Sequence, residues 1–489
     1  MSDRVAVIGA GPGGLVTARW LLAQGFAPTL FERGSTLGGQ WSGDENRSGV
    51  WPAMHTNTSR ILTAFSDLTP AGRVVFPHNR AVQAYLHRYA ETFGLIPRIR
   101  FTTPVTGLRR GPGGWLLRTP DGEELFERVV VATGRFHTPV IPDVAGLDTF
   151  PGPVSSTFAF RSADAHTARR VLVAGCAVSA LEIATELAQH GAPRVVVTQR
   201  RQRYVLPKFA AGVPSDHRIF TRYGVLAAET LAPAEVDRQL KEIVVEANGS
   251  PEQYGAPQPD PSLFAAGETL SQHHLSLVAE GRITVRPWID RVSGDTVTFA
   301  DGTAEQFDVI LFGTGFRLDL PFLSDEIRAI LGLDDVHLDA DRHTFHPDLP
   351  GLTFSGMWDQ SGGYFVPLEL QARWIAYTWG GTVAGSTDRE QRAAIATYRA
   401  RRGLPQKTRM NLAAIMFARA AGVEPTLERW PDLRRALLFG PLAPSCFRLE
   451  GPDASPDAAP RFAADAAEFG AITGNQLTAR EQAYRALLG

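Results

Sequence analysis

The stretch VAVIGAGPGG, residues 5–14, decides the fold of this chain. Its apolar start predicts a buried strand, its glycines predict a tight turn, and the mostly apolar run at residues 15–22 predicts a helix. Gly9 permits the sharp turn, Gly11 lets a pyrophosphate approach the backbone, and Gly14 lets the helix and strand pack closely. Because amide dipoles at the start of such a helix attract phosphate charge, the stretch indicates a dinucleotide site.

The residues that follow complete this pattern. A second strand, residues 28–31, ends at Glu32, whose carboxylate is placed to accept hydrogen bonds from a ribose. Strand, glycine turn, helix, strand and terminal acid stand in the order that makes the motif specific. The loop at residues 34–41 then combines glycines, which let backbone pass close to a flat ligand, with an aromatic surface. From this loop we expect cofactor contacts by Gly39, Gln40 and Trp41.

Size and composition limit the classes of function. A chain of 489 residues is too long for one core, and about three domains are expected. The formal net charge of -2 gives no general attraction to nucleic acid or to acidic membranes. No apolar run reaches the roughly 18 residues that span a bilayer, and the first strand begins too early to leave room for a signal peptide. We therefore expect a cytoplasmic protein with neither nucleic-acid nor membrane partners, and the sequence leaves a homodimer possible.

The cysteines exclude several kinds of redox and metal chemistry. Cys176 and Cys446 are the two cysteines of the sequence, and they form neither a CxxC pair nor a zinc cluster. No catalytic triad and no metal cluster can be read from the sequence. Redox chemistry must therefore come from a bound cofactor, and we expect no metal.

A second nucleotide-binding pattern begins at Arg170. Residues 171–182 again predict strand, turn and helix, with Gly175 and Ser179 at the turn, although alanines replace two of the glycines. The next strand, residues 194–198, leads to Arg200 and Arg201, where an acid would bind a free ribose hydroxyl. Guanidinium groups suit a 2'-phosphate instead, so these residues predict NADPH rather than NADH.

Further motifs connect the chain to a known family. MHTNTSR (residues 54–60) and AFSD (residues 64–67) follow the first fingerprint, Glu32 and the LGGQW loop in order. In this order the chain resembles the flavin-containing monooxygenases, a branch of the class B flavoprotein monooxygenases. The resemblance covers about residues 4–380 and is weakest at residues 210–280. It implies FAD at the first nucleotide fold and NADPH at the second.

The resemblance also implies the architecture. It identifies VVVATG (residues 129–134, with Thr133) as the crossing out of the flavin domain and residues 308–316 (with Gly315) as the return, and we expect both named residues at the cofactor. The expected fold is α/β, with two Rossmann-like dinucleotide-binding domains, the NADPH domain being inserted into the FAD domain. Its expected parts are FAD-binding residues 1–150 and 306–385, NADPH-binding residues 151–305 and a C-terminal helical region at residues 386–489.

Five segments carry more local predictions. We expect a strand at residues 99–105, and helices at residues 389–402 and 412–421 that close over the cleft. The Pro, Asp and Ala content of residues 452–465 favours a linker before a last charged helix. Residues 211–267 predict short helices and surface loops over the cleft, with substrate contacts that the sequence does not identify.

The chemistry follows from the resemblance. In the family, NADPH reduces FAD, oxygen adds to the reduced ring, and the flavin (hydro)peroxide transfers one oxygen atom to a small-molecule nucleophile. The resemblance places Asn57 at the reactive edge of the flavin, where its amide can hydrogen-bond, with Thr56 as a neighbouring cofactor contact. Asn57 is accordingly the candidate catalytic residue, and we interpret His55 as a spacer.

Three reactions remain open from the sequence. Oxygenation of nitrogen or sulfur is favoured because Phe160 and Arg161 match that branch of the family. A Baeyer–Villiger reaction, which converts a ketone to an ester or lactone, is the alternative, although that branch usually has Trp followed by Pro or Asp there. A reductase that passes NADPH electrons to a protein acceptor is a further alternative. Two neighbouring residues depart from the family, because Ser156 stands where the family has a histidine and Thr157 where it has a serine.

Overall fold

The computed structural model describes residues 3–44, 47–404 and 407–488. The strands, in chain order, are β1 (Arg4–Ile8), β2 (Ala27–Phe31), β3 (Ile99–Arg100), β4 (Gly107–Gly111), β5 (Gly114–Thr119), β6 (Gly122–Phe126), β7 (Arg128–Val131), β8 (Thr138–Pro139), β9 (Val154–Ser156), β10 (Arg170–Ala174), β11 (Arg194–Gln199), β12 (Tyr204–Leu206), β13 (Phe209–Ala210), β14 (Val213–Pro214), β15 (Glu268–Leu270), β16 (Ile283–Pro287), β17 (Ile289–Ser293), β18 (Thr296–Phe299), β19 (Ala304–Gln306), β20 (Val309–Phe312), β21 (Phe316–Arg317), β22 (Leu352–Phe354), β23 (Gln360–Ser361) and β24 (Thr408–Arg409). The helices are α1 (Pro12–Ala23), α2 (Asn79–Thr92), α3 (Val178–Gln189), α4 (Asp216–Ile219), α5 (Arg222–Thr230), α6 (Pro233–Asn248), α7 (Leu263–Ala266), α8 (His274–Ala279), α9 (Asp325–Ile330), α10 (Phe365–Trp379), α11 (Asp388–Ala400), α12 (Met410–Ala420), α13 (Arg434–Phe439), α14 (Ala458–Ala467) and α15 (Ala479–Ala486).

The first sheet is built around β1. Its five strands are parallel and lie in the order β22-β7-β1-β2-β3, with Val7 beside both Leu30 and Val130. The apolar β-branched residues of β1 and β7 are fully buried, as expected for central strands of a parallel sheet. Helix α1 connects β1 to β2 and packs against α10. This sheet therefore draws on both the beginning of the chain and residues beyond 350.

The second sheet lies in the chain between β7 and β22. It is also parallel and five-stranded, in the order β16-β11-β10-β20-β9, and Val171 lies beside both Val195 and Val309. A second parallel sheet formed within the span of the first confirms the predicted α/β fold with one nucleotide-binding domain inserted into the other. The exact domain bounds given above stay a prediction.

The C-terminal region is helical, and helices α11 and α12 occupy the segments predicted for them. Residues 452–465, by contrast, were expected to form a linker, and this was wrong because α14 begins at Ala458. Ala458, Phe462 and Ala466 are spaced by four residues and are all buried, so α14 forms by packing one apolar face.

Two further expectations need correction. The strand expected at residues 99–105 ends at Arg100, because the chain turns at Thr102, whose φ is +51°. Residues 211–267 hold one long helix besides short ones, since α6 has 16 residues. No helix in the described ranges is both long and apolar enough to cross a membrane.

Candidate functional site: two glycine turns and the segment around Asn57

The first glycine turn tolerates no side chain at two of its positions. Gly9 has a φ of +108°, and a Cβ there would lie 2.6 Å from the carbonyl oxygen of Ala132 at the end of β7. A Cβ on Gly14 would lie 1.9 Å from the carbonyl oxygen of Gly9, so the turn and α1 touch through bare backbone. The turn is thus closed against β7 and opens at the N-terminus of α1, where backbone amides point outward.

The LGGQW loop, residues 37–41, lies directly against the first glycine turn. A Cβ added to Gly39 would lie 2.9 Å from the Cα of Gly11, and the backbone N–H of Gly38 donates to the carbonyl oxygen of Ala10 at 2.9 Å. The structure therefore brings together two loops that the sequence separates by almost thirty residues. Both loops present backbone rather than side chains to the space around them.

Glu32 braces the turn as well as ending β2. Its Oε2 accepts the backbone N–H of Ala10 at 2.9 Å, and its Oε1 accepts the N–H of Gly34 at 2.7 Å. Sequence reasoning expected contacts with a ribose and missed both of these bonds. Each carboxylate oxygen has a further lone pair, so bracing and ribose binding are compatible.

Gln40 holds protein loops with its side chain. Its Nε2 donates to the carbonyl oxygen of Phe136 at 2.8 Å, and its Oε1 accepts the N–H of Gly49 at 3.0 Å. Trp41 is half-buried against the core that contains α1. Gln40 therefore connects the glycine loop to residues just after β7.

Two predicted site residues bear buried oxygens with no hydrogen-bond partner among the described residues. They are Oδ1 of Asn57 and Oγ1 of Thr133. Thr56, by contrast, is fully engaged, because its Oγ1 donates to the carbonyl oxygen of Thr58 at 2.8 Å and its N–H donates to Pro77 at 2.9 Å. Since buried polar groups are normally paired, the two unpartnered oxygens point to a ligand or water.

The second glycine turn is also closed by bare backbone. Gly175 has a φ of +140°, and a Cβ there would lie 2.4 Å from the carbonyl oxygen of Gly313, which follows β20. Ser179 is exposed in the first turn of α3.

Gly315 lies at the return crossing, where its carbonyl oxygen accepts the N–H of Val140 at 3.0 Å. The two crossings thus pair with each other through β8 and β21.

The two arginines after β11 are both exposed, but their surroundings differ. The guanidinium of Arg200 lies 4.8 Å from the ring centroid of Trp288. Arg201 donates from Nη1 to the carbonyl oxygen of Ala265 at 2.9 Å and lines a cavity of about 480 Å³. Gln202, residues 258–261 and Ala266 line the rest of that cavity. Both arginines therefore follow β11 of the second sheet, as the sequence predicted.

The segment that departs from the family pattern is buried. Ser156 ends β9 beside Phe312 of β20 and is 7% exposed. Phe160 packs edge-on against Trp51, with 5.9 Å between ring centroids. Arg161 donates to the carbonyl oxygen of Ser48 at 3.1 Å and so fixes this segment to the first domain's loop.

The site contains a polar cluster that the sequence did not reveal. Asp216 and His217 of α4 are buried against Ser59, two residues after Asn57. Burial raises the pKa of Asp216 to about 7 and, with the charge of Arg60, lowers the pKa of His217 to about 3. No sequence signal marked these residues, because they lie in the segment of weakest resemblance. In the part of the chain that the structure describes, no group of three His, Cys, Asp or Glu residues could hold a metal.

Named relatives match the sequence along most of the chain. Dimethylaniline monooxygenase (N-oxide-forming) 2 of Oryctolagus cuniculus is 28% identical over 484 residues, 92% of this chain and 89% of the relative. Flavin-containing monooxygenase 2 of Homo sapiens is 28% identical over the same shares.

Solved structures share the fold. S-allyl-L-cysteine S-oxygenase from Allium sativum has a TM-score of 0.66 at 22% identity, over 96% of this chain and 99% of its own. Cyclohexanone monooxygenase has a TM-score of 0.67 at 18% identity, over 86% and 98%. At these identities the likeness concerns the fold alone.

The sequence profile of the flavin-binding monooxygenase-like family matches residues 2–462, nearly the whole chain. Together with two nucleotide-binding sheets and two closed glycine turns, this match means that the chain belongs to the flavin-binding monooxygenase-like family, whose cofactors are FAD and NADPH.

Proposed function

We propose that this monooxygenase uses NADPH and O2 to oxygenate a nitrogen or sulfur atom of a small molecule. The observation that carries the proposal is the similarity, along 92% of the chain, to a relative named for N-oxide formation. The S-oxygenase resembles the chain in fold at 22% identity, which does not bear on the atom that is oxygenated. Cyclohexanone monooxygenase resembles the chain in fold at 18% identity, which favours no particular reaction.

The residues of the first site fit FAD. The first glycine turn and the LGGQW loop contact each other through the backbone of Gly11 and Gly39. The start of α1 offers free amides to a pyrophosphate. The isoalloxazine ring carries an N–H donor, which suits the unpartnered buried oxygens of Asn57 and Thr133. FAD, when bound, supplies the electron transfer and the oxygen activation.

The chain's own residues bind and orient the two cofactors in this proposal. The FAD contacts are Gly9, Gly11, Gly14, Glu32, Gly39, Gln40, Trp41, Thr56, Asn57, Thr133 and Gly315. The NADPH contacts are Gly175, Ser179, Arg200 and Arg201. Asn57 directs its amide at the reacting edge of the flavin, and the surrounding buried residues exclude water.

Several properties stay proposals beside the reaction. We assign residues 1–150 and 306–385 to FAD, residues 151–305 to NADPH, and residues 386–489 to the helical region. A cytoplasmic location and a homodimer stay predictions from the sequence.

Product analysis tests the reaction. The purified enzyme is given NADPH, air and a panel of amines, sulfides and ketones, and products are identified by mass spectrometry. We expect N-oxides, hydroxylamines or sulfoxides, each gaining one oxygen atom. Esters or lactones from ketones alone would favour the Baeyer–Villiger reaction instead. Fast cytochrome reduction without oxygen consumption would favour a reductase.

A variant tests the role of Asn57. Asn57→Ala is expected to leave anaerobic FAD reduction by NADPH nearly intact, while product per NADPH falls, because the amide acts in oxygen transfer. Asn411→Ala is the matched control, since Asn411 is the other asparagine with a buried and unpartnered Oδ1 among the described residues. Full coupling in Asn57→Ala, or a loss confined to the reduction step, would make Asn57 structural.

A further inference from the structure

The turn that carries Asn57 is fastened to α4 by two hydrogen bonds. The backbone N–H of Ser59 donates to Oδ2 of Asp216 at 2.6 Å, and Oγ of Ser59 lies 2.9 Å from Nε2 of His217. Ser59 and His217 are 0% exposed and Asp216 is 3% exposed, so water does not compete for these bonds. The contact joins residues 157 and 158 positions apart in the chain.

The other amides around Asn57 have different partners. The N–H groups of Thr56 and Arg60 donate to the carbonyl oxygens of Pro77 and Val75, which belong to the same sheet domain as Asn57. The N–H of Ser59 instead donates to a side chain of the inserted segment. The carboxylate of Asp216 therefore sets the position of the backbone two residues after Asn57.

Both sides of this contact also hold polar atoms without partners. Oδ1 of Asp216, Nδ1 of His217 and Oδ1 of Asn57 are buried and lack a hydrogen-bond partner among the described residues. Since buried polar groups are normally paired, these atoms point to water or a ligand at each of the two segments.

The end of the chain closes this cluster from outside. The ring of Phe469 lies edge-on to His217, with 5.2 Å between centroids, and Glu468 forms an ion pair with Arg60. The family profile ends at residue 462, so this cover comes from a part of the chain beyond the matched region. The cover keeps the Ser59–Asp216 bond away from solvent.

We propose that Asp216 is a positioning residue for oxygen transfer, which acts on Asn57 by holding the N–H of Ser59. The inference rests on the proposed monooxygenase function. Without the carboxylate, the Ser59 N–H is buried and unpaired, and the turn moves to find another acceptor. Asn57 then leaves its place beside the flavin, and reduced enzyme and O2 yield hydrogen peroxide in place of product. NADPH still supplies the two electrons in either outcome.

Paired variants of Asp216 test this role. Asp216→Asn keeps an oxygen acceptor for Ser59, whereas Asp216→Leu has a similar size and no acceptor. Four quantities are measured on FAD-loaded protein: FAD content, the anaerobic rate of FAD reduction by NADPH, and the hydrogen peroxide and the product formed per NADPH with a substrate from the panel. We expect peroxide per NADPH to rise in the leucine variant and product formation to fall roughly fivefold or more. The asparagine variant should stay within about twofold of wild type, and both variants should reduce FAD normally.

A control at another carboxylate that accepts a backbone N–H separates positioning from general damage. Glu450 also accepts a backbone N–H, that of Thr426 at 2.9 Å, but in the C-terminal region. Glu450→Gln and Glu450→Met are therefore expected to leave the peroxide yield unchanged. Should Asp216→Leu lose FAD, Asp216→Glu replaces it, because one extra methylene displaces the acceptor and should also raise the peroxide yield.

Three outcomes would overturn the role of Asp216. The first is a leucine variant that forms as much product per NADPH as wild type. The second is an asparagine variant that releases as much hydrogen peroxide as the leucine variant. The third is a fall in the rate of FAD reduction that matches the fall in product. Failure of the proposed function looks different, because wild type itself would then give no product oxygenated at nitrogen or sulfur from any substrate of the panel.

Discussion

The guanidinium of Arg200 lies over the indole of Trp288, 4.8 Å from the ring centroid, just after β11 ends. Stacking on the ring face orients a guanidinium while leaving its N–H edge available to a phosphate. Arg201, in contrast, already donates to the carbonyl oxygen of Ala265. Arg200 is thus the better candidate for the 2'-phosphate of NADPH.

Arg200→Ala should weaken NADPH and hardly affect NADH. A charge-assisted hydrogen bond contributes about 1.5–3 kcal/mol, so the KM for NADPH should rise roughly 10- to 100-fold. Initial rates of FAD reduction with each nucleotide measure the change. Arg201→Ala is the matched control and should have the smaller effect. An unchanged preference in Arg200→Ala would transfer the discriminating role to Arg201.

Gly11→Val should give protein without FAD. A Cβ on Gly11 would meet the Cα of Gly39 at 3.4 Å, which is ordinary contact, but the two further methyl groups of valine extend into the space assigned to the pyrophosphate. Gly11→Ala is the matched control and should keep part of the yellow colour. The FAD-to-protein absorbance ratio after gel filtration measures occupancy, and full occupancy in Gly11→Val would contradict the assignment.

Ser156→His should reduce the release of hydrogen peroxide when substrate is absent. If the family histidine helps to hold the nicotinamide nucleotide over the flavin, the shorter serine leaves the reacting edge less shielded from water. Ser155→His is the control, because neighbouring strand residues point to opposite faces. Peroxide released per NADPH is measured for both variants. Equal release from Ser156→His and wild type would mean that the serine at this position does not cause the release.

The features fixed by local backbone geometry could be predicted from the sequence. Gly9 and Gly175 adopt positive φ angles at turns that their motifs predicted, and Glu32 ends the strand expected to carry it. The parallel sheets follow from apolar runs such as those of β1 and β10. The cofactor roles of Asn57 and Thr133 stay predictions.

Long-range contacts could not be predicted in this way. The Ser59–Asp216 bond spans 157 positions and depends on the tertiary packing of α4 against the turn that carries Asn57, which no local pattern encodes. The amide of Gln40 is bonded to Phe136 and Gly49 for the same reason. Helix α14 was missed because prolines and aspartates around Ala458 masked an apolar face that needs a neighbour to form.

The buried carboxyl of Asp216 should make stability depend on pH. Burial raises the pKa of Asp216 to about 7 in the folded protein, against about 3.9 when unfolded. The folded state therefore binds the Asp216 proton more tightly than the unfolded state does. The stability that this proton contributes is fully present below about pH 4 and is lost as the pH rises through about 7. The expected loss is about 1.4 kcal/mol per pH unit in that window. His217 stays neutral there because its pKa is lowered to about 3, and Arg60 is paired with Glu468.

Asp216→Asn removes this titration and keeps the shape of the side chain. Its Tm relative to wild type should therefore increase between pH 5 and pH 7, by roughly 1 °C for each kcal/mol in a chain of 489 residues. Glu450→Gln is the control, because the pKa of Glu450 is lowered by its hydrogen bonds to Thr426 and Trp430 and by Arg429. Its Tm difference from wild type should not change over this range, which lies above the titration of that carboxyl. A constant difference between Asp216→Asn and wild type from pH 5 to pH 7 would mean that Asp216 is ionised throughout, with Ser59 and its surroundings stabilising the charge.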